Sequence, residues 1–174
     1  MEGFIPVLFG AFAFLALVFA VLVVSFKNPV SSAFSLVMVL LNVAAIFAMQ
    51  EAHFAAATQV LVYAGAIAVL FVFVIMLLNI DVVPLDFPLT RAPYGIAGAI
   101  ALSFLALVTL AIVRGGTSAR VGEQTVEAIA RNGGNIRQIS HRMFTNYVFS
   151  FEIIAVLLTL AVVGAIVLAK RKVD

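Results

Sequence analysis

Residues Thr58–Leu78 read TQVLVYAGAIAVLFVFVIMLL, a stretch without a single charged side chain. A helix needs about 20 mainly apolar residues to cross the hydrocarbon core of a bilayer, and this stretch is long enough. The strands of a membrane β-barrel would instead alternate apolar and polar residues in segments of about ten. The continuous apolar run therefore predicts a membrane-spanning helix.

Similar runs recur on both sides of this stretch and account for most of the chain. Soluble domains are about 25% charged, whereas this chain is 10% charged and 65% hydrophobic. We predict an all-α integral membrane protein with five transmembrane helices, forming one membrane domain over residues 1–174. The predicted spans are residues 4–26, 29–50, 55–79, 93–113 and 147–169, and the long loop is 114–146.

Composition excludes several functions. The chain has no cysteine, so it cannot by itself ligate an iron–sulfur cluster or use a thiol. Its two histidines, His53 and His141, stand in no metal-binding spacing, and a net charge of +2 is too weak to indicate nucleic acid as a partner. We predict no catalytic, cofactor-binding or metal-binding residue here. The first apolar run, Gly3–Phe26, lacks a preceding basic segment, so we interpret it as a retained helix rather than a signal peptide.

Orientation follows from basic residues near the membrane. Five spans place the termini on opposite sides. Lys27, Arg91 and the terminal Lys170-Arg171-Lys172 share one side and lie close to span ends, whereas the arginines of the other side are spread along the long loop. The positive-inside rule gives most weight to charges close to the membrane. We predict a cytoplasmic C-terminus and an external N-terminus.

The long loop contains two possible short helices. One is Val121–Arg131, ended by Asn132-Gly133-Gly134. The next segment has Ile136, Ile139 and Met143 at helical spacing, which is typical of a helix lying along the membrane surface. A mobile loop is an equally good interpretation of this segment.

Two acids near span ends are candidate proton-path residues. Glu51 ends the second span, and Glu152 lies about one turn into the fifth, where it could pair with Arg142 or His141. Either acid could instead be an interfacial anchor in contact with water. The predicted topology puts both on one side of the membrane. With no acid at mid-membrane, the chain cannot be a complete proton pump by itself.

The third span combines polar and very small residues. Gln59, Tyr63 and Ala66 share one helix face, and Tyr63 precedes a small-residue patch. The patch consists of Ala64, Gly65, Ala66 and Ala68. Small residues let helices approach closely, and glycine tolerates a distorted backbone. The pattern fits either close packing or a π-bulge, a distortion that frequently marks a functional site.

This span resembles the J subunit family of bacterial NADH:quinone oxidoreductase, respiratory complex I, whose mitochondrial counterpart is the sixth ND subunit. The similarity is carried by Val62–Ile67 and its continuation Val69–Val74. Two further parts agree with it: the first loop, Lys27-Asn28-Pro29-Val30, and the last span with its approach, which runs from Met143 through Glu152 to Gly164-Ala165.

The resemblance implies properties that composition does not. The fold would have five spans with the N-terminus on the periplasmic side of the bacterial cytoplasmic membrane. The chain would lie in the membrane arm beside H-, A- and K-type subunits, in a complex that uses NADH, FMN, iron–sulfur clusters and quinone, and it would bind none of these itself.

The resemblance also implies roles for particular residues. Tyr63 to Ala66 would form a π-bulge able to relax to an α-helix and so help couple quinone reduction to proton pumping. Glu152 matches the acid of the family's last helix. Gln59 is a departure, because some relatives have glutamate there.

Two alternatives remain beside this family assignment. The chain could be an equivalent subunit of a membrane-bound hydrogenase or of a multi-subunit cation/proton antiporter, which share ancestral helices with the family. It could also be a stand-alone transporter or channel, although polar groups are scarce at mid-membrane.

Overall fold

The computed structural model describes residues 4–78, 91–114, 125–131 and 133–170, and within these ranges the chain forms helices joined by turns, without a strand. In chain order the helices are α1 (Phe4–Ser25), α2 (Pro29–Met49), α3 (His53–Leu78), α4 (Arg91–Arg114), α5 (Val126–Arg131), α6 (Gly134–Thr145) and α7 (Val148–Ala169). The all-α prediction is confirmed. Among the described residues, α1, α2, α3 and α7 are long and apolar enough to cross a membrane.

The fourth predicted span, residues 93–113, falls within α4. This helix has 24 residues, and its described apolar part is Gly98–Ala111. The described residues form two compact units, and α4 belongs to the second. The hydroxyls of Ser103 and Thr109 donate to the carbonyls of Ala99 and Leu105 on the same helix. These polar groups therefore need no partner from outside α4.

The turn between α1 and α2 is built from local signals. Lys27-Asn28-Pro29 interrupts the apolar run, and the Asn28 side chain accepts hydrogen bonds from the backbone N–H groups of Val30 and Ser31 at 2.9 and 3.4 Å. Asn28 is thus the N-cap of α2, with Pro29 at the first helical position, where its missing N–H costs nothing. The Ser32 hydroxyl then donates to the Val23 carbonyl and ties the two helices together.

The turn between α2 and α3 has a different construction. The Ala52 N–H donates to the Phe47 carbonyl at 3.0 Å, and the Glu51 N–H donates to the Ala48 carbonyl at 3.2 Å. This pair of bonds is the Schellman motif that ends many helices, and its left-handed position is usually glycine. Here the position is Glu51, with φ of +58°. The turn therefore holds a carboxylate on a strained backbone.

In the first unit, α1, α2 and α3 pack side by side with α2 in the middle. The buried side chains are small, and they are Ala33, Ser35, Asn42 and Ala44 on α2 with Ala64 and Ala68 on α3. Small side chains at a helix interface let the backbones approach closely, which is the usual way that membrane helices associate. The large apolar side chains point outward, as expected for surfaces that meet lipid or other subunits.

The segment before α7 returns to the start of α3. Gly133 and Gly134 both have positive φ, 85° and 89°, which ends the preceding turn and starts α6. The Asn135 side chain of α6 then accepts a hydrogen bond from the Phe54 N–H at 3.3 Å. Since Ala52, the N-cap of α3, makes no side-chain cap bond, Asn135 satisfies a donor of the first turn from a distant part of the chain. The helical interpretation of residues 136–143 is thus confirmed.

Candidate functional site

The third helix changes its backbone geometry part-way along. Gln59–Ala68 is π-helical, and it lies between the α-helical segments His53–Thr58 and Val69–Leu78. A π-helix pairs each N–H with the carbonyl five residues earlier, and it usually appears as a single turn at a functional site. The sequence predicted a distortion near Tyr63–Gly65. The structure has a π-helix there, and its ten residues exceed one turn.

Gly65 stands where the π-helical backbone is most crowded. A Cβ atom built on Gly65 would lie 3.0 Å from the carbonyl oxygen of Val60. Val60 is five residues earlier, so its carbonyl is the one that π geometry brings to Gly65. The same construction at Gly10 and Gly164 meets nothing within 4 Å beyond the backbone of their own helical turns. Local geometry therefore favours glycine at position 65, because a side chain there would force the Val60 carbonyl to shift.

The predicted small-residue patch divides into two faces. Ala64 and Ala68 are 4% and 3% exposed, and α2 is the neighbouring helix that covers them. Gly65, Ala66 and Tyr63 lie on the other side, and Tyr63 is 49% exposed. The inner face packs the π segment against α2. On the outer face, Tyr63 is accessible to lipid or to a neighbouring protein chain.

A buried amide lies at the depth of the π segment. Asn42 is 9% exposed, and its amide nitrogen donates to the Met38 carbonyl at 2.7 Å. Measured from the turn between α2 and α3, Asn42 and Gln59 are both about 10 Å along their helices. Gln59 is half-buried. Asn42 and Gln59 are the polar side chains that α2 and α3 supply at this depth.

The first candidate acid forms a pair at the turn before α3. A Glu51 carboxylate oxygen is 2.9 Å from Nε2 of His53, and both side chains are about half exposed. The sequence alone indicates no role for His53, because no local pattern predicts that the turn brings His53 to Glu51.

The second candidate acid is not paired in this way. Glu152 is exposed near the start of α7, and within the described residues it has no ion pair with Arg142 or His141. Glu51 lies beside the start of α3 and Glu152 lies beside the start of α7. The helix α6 contacts the first of these starts and leads into the second. The structure shows no hydrogen bond between the two acids.

Four hydroxyls of α3, α4 and α7 donate hydrogen bonds within their own helices. The hydroxyls of Thr58 and Thr159 donate to the carbonyls four residues earlier, at 2.9 and 3.0 Å, as Ser103 and Thr109 do in α4. Among the described residues, the side chains of Gln59, Tyr63 and Glu152 make no hydrogen bond within the chain, so these candidate residues remain available to other partners.

Comparison with known proteins identifies the family of this chain. Residues 19–168 match the family described as NADH-ubiquinone/plastoquinone oxidoreductase chain 6. The chain belongs to this family. It is also 34% identical to NADH-quinone oxidoreductase subunit J of Rhodobacter capsulatus over 164 residues, which cover 94% of this chain and 80% of that subunit.

Membership of the chain 6 family confirms the resemblance found in the sequence. The match runs from the middle of α1 almost to the end of α7, so it includes the π segment. The roles of Tyr63, Gly65, Gln59, Glu51 and Glu152 stay predictions, because family membership assigns no function to single residues.

Proposed function

We propose that this chain is a membrane-arm subunit of a proton-translocating NADH:quinone oxidoreductase, in which the π-helical part of α3 helps couple quinone reduction to proton pumping. The observation that carries this proposal is a ten-residue π-helix within a membrane-spanning helix of a chain 6 family member. A helix that can exchange π for α geometry is a two-state element, and coupling between distant sites requires such an element.

The geometry around Gly65 supports such a change. Conversion to α-helix would pair N–H groups with carbonyls four residues earlier and turn one part of α3 relative to the other. Tyr63 is on the outer face, so the turn would move a hydroxyl at a subunit boundary while Ala64 and Ala68 slide past small residues of α2. The side chains on the inner face are small, so the steric cost of this movement is low.

The chain supplies no redox chemistry in this proposal. NADH, FMN, iron–sulfur clusters and quinone belong to the complex and are bound elsewhere in it, so the chain is a non-catalytic subunit. Its partners are other membrane-arm subunits, of the H, A and K types. The exposed outer face of α3 and the exposed apolar surfaces of α7 are the surfaces that we assign to these partners and to lipid.

The path of the chain supports five spans with the termini on opposite sides, and the basic residues near the span ends support the orientation. The start of α3 contacts α6 through Asn135, and α6 leads directly into α7. If α3 crosses the membrane, the chain must cross back before residue 134, and α4, with about 36 Å of helix, is long enough to do so. We therefore propose a multi-pass protein of the bacterial cytoplasmic membrane, with the N-terminus periplasmic and the C-terminus cytoplasmic.

Deletion of the chain tests membership in the complex. We expect that membranes lacking it lose quinone-linked NADH oxidation and that the remaining subunits assemble poorly. NADH-binding and iron–sulfur subunits should co-purify with the tagged chain, as mass spectrometry would show. Hydrogenase or antiporter subunits in their place would identify one of the alternative machines, and full activity without the chain would end the proposal.

A Gly65→Ala variant tests the coupling role, with Gly10→Ala as its matched control. The new methyl group meets the Val60 carbonyl, and a cost of about 1 kcal/mol to the π form would shift a two-state equilibrium about fivefold. We expect lower quinone-linked proton pumping at unchanged abundance of the complex, measured by NADH oxidation with a soluble acceptor. Equal loss of pumping and abundance, or an equal effect of Gly10→Ala, would instead indicate simple packing.

A further inference from the structure

The connection between α6 and α7 is a fixed elbow. The Arg142 carbonyl accepts hydrogen bonds from the N–H groups of Asn146 and Tyr147 at 2.9 and 3.2 Å. The rings of Phe144 and Phe151 pack edge to face across the bend, with their centroids 4.9 Å apart. Backbone and side-chain contacts together hold one angle between the two helices.

A groove of about 370 Å³ lies along this elbow. Ile139 and Met143 of α6 line it, together with Phe151 and Ile154 of α7, so its wall is apolar. Ile154 is about 9 Å along α7 from its first residue. If α7 spans the membrane and α6 lies at its surface, the groove runs from the interface into the hydrocarbon region.

The outer end of the groove is cationic. Arg142 lines it, and within the described residues no carboxylate pairs with the guanidinium group. Residues 133–151 contain no acid but include Arg137 and His141 besides Arg142, and the next residue, Glu152, is exposed and makes no ion pair with Arg142. Tyr147, another lining residue, has the amphipathic ring that favours the level of lipid headgroups. The groove thus combines an apolar wall with a positive charge at one end.

We propose that this groove binds an anionic phospholipid, with one acyl chain along α7 and the phosphate on Arg142. A guanidinium group can hold a phosphate through two parallel hydrogen bonds. The apolar wall adds little selectivity, because it competes with lipid tails that are equally apolar. Selectivity for a negative headgroup therefore rests on Arg142.

The lipid proposal is independent of the coupling proposal. It uses residues of α6 and α7 only, whereas the coupling proposal depends on the π segment of α3. Loss of lipid binding need not alter the π-helix, and a failed Gly65 experiment would leave the groove unchanged.

Photo-crosslinking in the intact complex tests the lipid site. The purified complex is placed in phosphatidylcholine nanodiscs that contain a trace of either phosphatidylglycerol or phosphatidylcholine with a photoactivatable group on one acyl chain. Mass spectrometry then measures labelling of residues 139–154 of this chain. The variants are Arg142→Gln, the conservative Arg142→Lys and, as matched control, Arg137→Gln, which removes a charge of the same helix that does not line the groove.

We expect phosphatidylglycerol to label the native groove more than phosphatidylcholine does. Arg142→Gln should lower phosphatidylglycerol labelling about tenfold, since a charge-assisted hydrogen bond is lost. Arg142→Lys should retain most of the labelling, and Arg137→Gln should change it little. Equal labelling by both lipids, equal loss in both glutamine variants, or no labelling because a partner helix fills the groove would each overturn the proposal.

Discussion

The third and the last membrane helices, α3 and α7, start beside α6 but are built differently. α3 begins at a strained turn, contains ten π-helical residues and buries two alanines against α2. α7 begins at the elbow, is α-helical from Val148 to Ala169 and buries none of its residues. Even their glycines differ, because Gly65 is crowded and Gly164 is not. The difference teaches that membrane helices of similar apolar composition can differ in backbone geometry and in how closely they pack against their neighbours.

The largest effect should come from enlarging the inner face of α3. Ala64→Leu inserts a bulky side chain where α2 leaves no room, and overpacking of this kind costs about 1–3 kcal/mol. We expect a marked drop in the abundance of the assembled complex, measured in membranes by native gel electrophoresis. Ala155→Leu, at an exposed position of α7, is the matched control and should be harmless. Comparable losses in both variants would remove the distinction between the two helices.

The next effect should come from the remote cap of α3. Asn135→Ala leaves the Phe54 N–H without its acceptor, and loss of a capping bond costs about 1 kcal/mol. Hydrogen exchange of residues 53–58 should accelerate about fivefold, while exchange at the start of α7 stays as it was. Ser140→Ala, which removes a bond internal to α6, is the control. Unchanged exchange in Asn135→Ala would show that this bond contributes nothing to the first turn.

A smaller effect, a stabilisation instead of a destabilisation, should follow from removing the backbone strain in the turn before α3. Glu51→Gly removes a left-handed strain of about 1–2 kcal/mol, but glycine flexibility and the lost pair with His53 offset part of the gain. We expect a net stabilisation of about 0.5 kcal/mol, seen as slower exchange at residues 50–54. Faster exchange would mean that the contact with His53 stabilises the turn by more than the backbone strain destabilises it.

The smallest effect should come from the acid of α7. Glu152 is exposed near a helix start and has no ion pair among the described residues, so we favour its role as an interfacial anchor. Glu152→Gln should lower proton pumping by the complex less than about twofold, because no ion pair or hydrogen bond among the described residues depends on its charge. Proton pumping by membrane vesicles that contain the complex would measure the effect of this substitution. A large loss at normal abundance would make Glu152 part of a proton path.

Span positions were largely predictable because they depend on local signals. Charges, Asn-Pro and Gly pairs interrupt apolar runs, so residues 4–26, 29–50 and 147–169 correspond closely to α1, α2 and α7. The location of the π segment was implied by the family resemblance at Tyr63–Ala66, since the small residues alone fit either close packing or a π-bulge.

The length of the π-helix and the turn at Glu51 could not be predicted. A π-helix mostly appears as a single turn, so nothing in the sequence indicated a segment of ten residues. The Schellman position is usually glycine, so glutamate gave no signal there. The Asn135–Phe54 bond joins residues 81 positions apart, and only the folded chain brings them together. The prediction of one membrane domain stays a prediction beside the two compact units.

The remote cap of α3 has a consequence for biogenesis. Residue 54 leaves the ribosome long before residue 135, so α3 enters the membrane with its first turn still unsatisfied at that N–H. The turn is completed only when the later segment has been made and has reached the same face. The order of synthesis thus makes this contact one of the last to form at the start of the π-containing helix.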